Sequence, residues 1–141
     1  MDERTIRSVA TMKTRIVLVA MVCMLLQQVG TAGDVWVSKR EVFTVSYESA
    51  LQPIEINRIH QWVLHIESEN GEPVSGADVE VTGGMPAHDH GLPTRPRVIE
   101  ELEDGSYRLD GMRFHMAGDW ELTISIVANG KTDTVIVALH L

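Results

Sequence analysis

The chain is predicted to fold as an all-β, immunoglobulin-like antiparallel β-sandwich of seven to eight strands after an N-terminal signal segment. Three observations carry this expectation. Beyond residue 32 the apolar residues recur with period 2 rather than 3.6, the pattern of half-buried strands. The apolar runs are short and rich in Val, Ile, Thr, Trp and Tyr, residues that fit a pleated surface. Turn signals, Asp104-Gly105 and Asn129-Gly130 among them, divide the runs at close spacing. A length of 141 residues leaves room for one such domain.

The N-terminus reads differently. Lys13 and Arg15 precede the uncharged run Ile16 to Leu26, "IVLVAMVCMLL", and then come Gln27, Gln28 and the small-residue stretch "VGTAG". A charged leader, a short apolar run and a small-residue end make a secretory signal, with cleavage expected after Ala32 and the mature domain covering 33–141. The run is short against the roughly 20 apolar residues a membrane-spanning helix needs. The competing reading is an uncleaved membrane anchor. Met12, which opens "MKTR", is an alternative start. Cys23 is the only cysteine and lies inside the apolar run. A processed chain therefore has no disulfide, and any metal site must use His, Met, Asp or Glu.

Taken in order, "VWVSK" (Val35–Lys39) and "VFTVSYE" (Val42–Glu48) read as strands, and "IEINRI" follows Pro53 as a further extended segment. "HQWVLHIE" (His60–Glu67) puts Trp62, Leu64 and Ile66 on one face. The polar, Gly- and Pro-bearing "SENGEPVSG" is a loop. In "ADVEV", Ala77, Val79 and Val81 alternate with Asp78 and Glu80, and the strand is expected to end at Val81, with Gly83-Gly84 bending the backbone. "RVIEEL" and "EDGSYRLDGMRF" follow the loop "MPAHDHGLPTRP", with a hairpin at Asp104-Gly105. In "WELTISIV", Trp120, Leu122, Ile124 and Ile126 face in. "TDTVIVALHL" closes the chain, with Val135, Val137 and Leu139 on one side. Trp36, Trp62 and Trp120 are read as core, since large aromatics dominate sandwich interiors.

Charge narrows the partners. The formal net charge is −8, and removing residues 1–32, which carry four Lys/Arg and two Asp/Glu, moves it to −10. An acidic surface argues against nucleic acid and anionic lipid. The stretch "MPAHDHG" (Met85–Gly91) holds two imidazoles at alternate positions and a thioether. If it is extended, His88 and His90 point the same way and can share an ion, with Met85 supplying sulfur and Asp89 pointing away. A second cluster, "GMRFHMAGDW", brings His115 and Met116, at the same end of the sandwich if the loops gather there. Imidazole with thioether suits copper, above all the reduced ion. The plainer reading is that Met112, Phe114 and Met116 share a core-facing side, that His115 points to solvent, and that the His-x-His loop is architectural. His60, His65 and His140 are read as structural or exposed.

"GEPVSGADVEVTGGMPAHDHGLPTRPRV" and "DGSYRLDGMRFHMAGDWELTISI" together resemble the YtkA-like domain family, related to FixH-type oxidase-assembly proteins, over roughly Trp62 to Leu139. The resemblance implies a small exported or membrane-tethered β-sandwich with a role in metal homeostasis. It falls on Met85, Pro86, His88, His90, Gly91, Pro93 and Pro96, then on Gly105, Tyr107, Phe114, Met116, Gly118 and Trp120. The glycines, prolines, Tyr107 and Trp120 look like fold determinants; Met85, His88, His90 and Met116 look like ligands. A FixH-type protein keeps a transmembrane helix, from which this short apolar run departs.

The expectation is therefore a periplasmic copper-binding module. Its metal residues are His88, His90, Met85, Met116 and His115, and its partner is a copper-receiving protein such as an oxidase subunit. The alternative is a metal-free interaction module. No catalytic function is expected: there is no nucleophile elbow, no cysteine nucleophile and no recognisable carboxylate pair.

Overall fold

In the computed structural model, which describes residues 34–141, every strand pairing is antiparallel and the strands follow the period-2 segments of the sequence. They are β1 (Trp36–Val37), β2 (Phe43–Ser49), β3 (His60–Ser68), β4 (Asp78–Met85), β5 (His90–Gly91), β6 (Arg97–Glu101), β7 (Ser106–Met112), β8 (Asp119–Ala128) and β9 (Lys131–His140). There is no helix among the described residues. The segment read as a signal, residues 1–32, lies outside them.

Nine strands form against the expected seven to eight: β5, a two-residue piece inside the stretch expected to be a loop, is the strand the sequence does not announce, and the strand expected over Val35–Lys39 shrinks to the two residues of β1. Two other expectations are corrected. "IEINRI" forms no strand: the chain turns at Asn57, where φ is 64° and the N–H donates to the Phe114 carbonyl at 2.7 Å. β4 does not end at Val81 but runs on through Gly83-Gly84 to Met85, because those glycines let neighbouring backbone approach. A Cβ on Gly83 would lie 2.5 Å from Leu122 Cδ2 on β8, and one on Gly84 would collide with the His90 carbonyl on β5.

The sheet order is β1-β2-β3-β7-β6-β4-β8-β9, with β5 on β4. The β6–β4 join is a single residue pair, Glu80 opposite Arg97, so the sheet folds there into two layers. At the other side the layers meet again where the Lys39 N–H donates to the Thr134 carbonyl of β9 at 2.9 Å. Phe43, Val45, Trp62, Leu64, Ile66, Tyr107 and Leu109 from one layer pack against Val79, Val81, Trp120, Leu122, Ile124, Ile126, Val135 and Val137 from the other. Alternation along β3, β7, β8 and β9 supplies these faces, and their removal from water is the main source of stability. Trp62 and Trp120 are buried, and Trp36 packs partly buried against the core.

Both hairpins announced by the sequence form. Asp104-Gly105 joins β6 to β7 and Asn129-Gly130 joins β8 to β9, all four residues with positive φ, as two-residue turns between twisted strands require.

One buried polar residue escaped the sequence reading. Asp133 faces inward on β9 beside Val135 and Val137 and is 5% exposed. Burial acts to raise its pKa, but hydrogen bonds from the Ser38 hydroxyl (2.6 Å) and the N–H groups of Thr134 (2.8 Å), Arg40 (2.9 Å) and Val42 (3.5 Å) outweigh that and hold it below the usual aspartate value. The carboxylate thus fastens the β1–β2 connection to β9.

Candidate functional site: a histidine rim

Met85 to Gly91 is a hairpin, not an extended loop. Met85 faces His90 and Gly84 faces Gly91 across β4 and β5, and the turn Pro86–Asp89 is closed by the His88 N–H donating to the Met85 carbonyl at 3.0 Å. Asp89 is at φ 52°. Simple alternation is therefore not what aligns His88 and His90. The turn does so, placing their rings 6.3 Å apart, centroid to centroid, at 21°.

The second cluster arrives at the same end. Met112 and Phe114 face the core as expected from period 2. The chain then leaves strand geometry, and Met116 emerges 36% exposed instead of continuing inward. His115 does not project freely into solvent. It is half-buried, its ring set edgewise on Trp120 at 5.4 Å and on His90 at 5.8 Å. His115, His90 and His88 thus form a file of three imidazoles running outward from the edge of the core.

The floor of this rim is apolar. Directly opposed residues on an antiparallel pair leave on one face, so Met85 lies on the same side as His90, but it is 2% exposed. Its terminal methyl packs against Gly118: a Cβ there would come within 2.9 Å of Met85 Cε, and Gly118 adopts φ 123°, where side chains are strained. The Trp120 indole N–H donates to the Met116 carbonyl at 3.0 Å, fixing the turn that carries His115. On the outer side of the hairpin, Asp89 and Glu121 help line an open groove of about 390 Å³.

The chain has six histidines, and they divide cleanly. Three are tied by ring hydrogen bonds: His60 Nδ1 to the Arg58 carbonyl (3.0 Å), His65 Nδ1 to the Ser106 hydroxyl (2.9 Å) and His140 Nδ1 to Asp119 (2.6 Å). The other three are those that meet at the rim, and the buried Nδ1 of His115 has no hydrogen-bond partner among the described residues. A ring bound through nitrogen at ~2.0–2.1 Å places its centroid about 3 Å from the metal, so two rings on one ion stand roughly 5–6 Å apart. The rim spacings are of that order. Among the described residues, however, no group of three or more His, Cys, Asp or Glu side chains is set to hold a metal ion as it stands. Ring rotation at the exposed His88 and His90 would be needed to aim their nitrogens at one point.

Fold and rim together define a small all-β domain with one histidine-lined end. The chain belongs to the YtkA-like family, whose model matches residues 39–125. That match begins earlier and ends earlier than the stretch Trp62 to Leu139 that carried the resemblance. Among solved structures, it is similar to a DUF4426 family protein from Pseudomonas aeruginosa PAO1, with a TM-score of 0.51 at 17% identity, over 71% of this chain and 90% of that one. Such a likeness concerns the fold alone. No curated protein matches the chain.

Proposed function

We propose that this protein is an exported copper-binding module that holds copper at the histidine rim and passes it to a partner, with no reaction of its own. The observation that carries this reading is the meeting of His88, His90 and His115, ring on ring, from two separate segments of the chain. Neutral imidazole nitrogen is a good ligand for copper. Exposed Met116 beside His115 adds a thioether, which favours the reduced ion over calcium or magnesium, while Met85 is buried beneath the rim on the face that His90 shares. Asp89 and Glu121 nearby favour a cation electrostatically. Two ligands on an exposed hairpin suit transfer to a copper-receiving protein better than permanent storage. Export rests on the N-terminal leader pattern.

One observation favours a second reading, a metal-free interaction module: the three rings pack against each other and Trp120 without a preset ligand geometry. Titration of the chain with Cu(I) under reducing conditions separates the two. The copper reading expects one ion per chain, abolished by His88→Ala with His90→Ala and weakened at least tenfold by His115→Ala. No copper uptake by the intact chain would leave the interaction module as the reading.

A further inference from the structure

The order of strands has two ends. One is β1, two residues long; the other is β9, ten residues from Lys131 to His140. β9 is paired along its whole length on the β8 side, in unbroken register from Ala128 opposite Lys131 to Asp119 opposite His140. Its other side is an edge, whose backbone groups pair with another chain unless something covers them. The two-residue turn makes Ala128 and Lys131 the hydrogen-bonded pair that closes the hairpin. Alternation along the ladder then points the N–H and C=O groups of Thr132, Thr134, Ile136, Ala138 and His140 outward, away from β8.

The first half of this edge is guarded. The Arg40 guanidinium donates to the Thr132 carbonyl, the Lys39 N–H donates to the Thr134 carbonyl at 2.9 Å, and the Thr134 N–H donates to Asp133 at 2.8 Å. The second half is bare. Trp36 and Val37 pair with β2 in the other layer, and among the described residues no backbone hydrogen bond meets the outward groups of Ile136, Ala138 and His140. The segment Val135–Leu139, "VIVAL", has no charge, proline, glycine or bulge, the features that ordinarily blunt an exposed edge.

We propose that this bare edge pairs with that of a second copy of the chain, β9 antiparallel to β9 about a twofold axis at Ala138, so that one sheet runs through both copies. The spacing of the outward groups selects a second copy. With Ala138 opposite Ala138, Ile136 falls opposite His140 of the second copy, and every outward N–H of these residues meets a C=O. The side chains agree with that register. Ala138 is exposed and small enough to face its counterpart across the axis, and half-buried Ile136 is covered by the His140 ring of the second copy. On the core face, half-buried Leu139 lies opposite Val137 of the second copy. No like charges face each other at the join, although the chain carries a formal net charge of −8. The repulsion left between two acidic bodies acts at longer range and is screened by salt, so association strengthens as salt is added. This pairing is independent of the copper reading.

The full chain in a Cys23→Ser background, which removes its one native cysteine, tests contact and register together. Opposed residues of a hydrogen-bonded pair lie about 5.5 Å apart at Cα, a separation that a disulfide spans. Ala138→Cys should therefore link two copies on mild oxidation, and Ile136→Cys should link efficiently only when mixed with His140→Cys. Thr82→Cys, exposed on β4 away from the edge, should not link. Without added cysteines, sedimentation should show a dimer whose share rises with concentration and with salt. Ala138→Pro should weaken that dimer at least tenfold. The N–H that proline lacks is an outward one, so the β8–β9 ladder survives, and a cooperative unfolding transition checks that the variant is folded. A parent chain that stays monomeric, a folded Ala138→Pro chain that associates like the parent, or linking at Thr82→Cys as ready as at Ala138→Cys would overturn the proposal. Because copper is absent throughout, failure here leaves the copper reading intact, and failed copper titration leaves the paired edge standing.

Discussion

Tyr107 carries a phenol into the core of the sandwich and satisfies it there. Its hydroxyl donates to the Val74 carbonyl at 2.5 Å and accepts from the Ala77 N–H at 3.1 Å, tying the loop before β4 to β7. Burial, the larger cause, pushes its pKa above the usual phenol value despite the Ala77 hydrogen bond, so it stays a neutral donor at ordinary pH. Tyr107→Phe keeps the ring but strands two backbone groups in a buried place. A loss of about 1–3 kcal/mol is expected, read as a lowered denaturant midpoint with an unchanged slope. Period 2 puts Tyr107 on one face of its strand with Leu109, but it does not say what the hydroxyl meets, because that partner lies 33 residues upstream.

At the scale of the element, the β4–β5 hairpin is what turns a run of histidines into a rim. Its strands close only because Gly84 offers no Cβ toward the His90 carbonyl. Gly84→Ala should therefore open the hairpin and spread His88 and His90, while the core faces of β3, β7, β8 and β9 persist. Amide exchange is the check: Met85–Leu92 should lose protection and β3 should keep it. Protection unchanged at the hairpin would show that the close approach is not what holds it. The glycine pair is visible in the sequence, where it reads as a bend. A glycine that permits close backbone approach and one that breaks a strand look alike until the neighbouring strand is known. His115 was similarly legible as a candidate, yet its contact with His90 depends on β8 lying beside β4, a pairing between distant segments.

For the whole molecule, the critical join is where the first strands meet the last. Ser38, Arg40 and Val42 all donate to Asp133, so beside the Lys39–Thr134 backbone hydrogen bond one carboxylate holds together the side that the strand ladders leave open. The sign of its pH dependence follows from the lowered folded-state pKa. Such a group adds stability above its unfolded value, 3.8, and that contribution drains away as pH falls through the still lower folded value. Asp133→Asn should thus cost about 1–3 kcal/mol at pH 7, with the gap to the parent chain narrowing below the ordinary aspartate range. Denaturant titrations of both proteins at pH 7 and in acid measure this; a gap that widens in acid would contradict it.

By itself, the sequence determined the all-β class, the apolar faces of β3, β8 and β9, both Asx-Gly hairpins and the residue types available to a metal. These are properties of period 2 and of local turn chemistry, which each short segment carries alone. Only the tertiary structure decided that His115 joins His88 and His90, that Met85 lies under the rim instead of in it, and that Asp133 is a buried fastening. Each of those depends on which strands become neighbours, and pairing between segments tens of residues apart leaves no mark in either segment's own pattern.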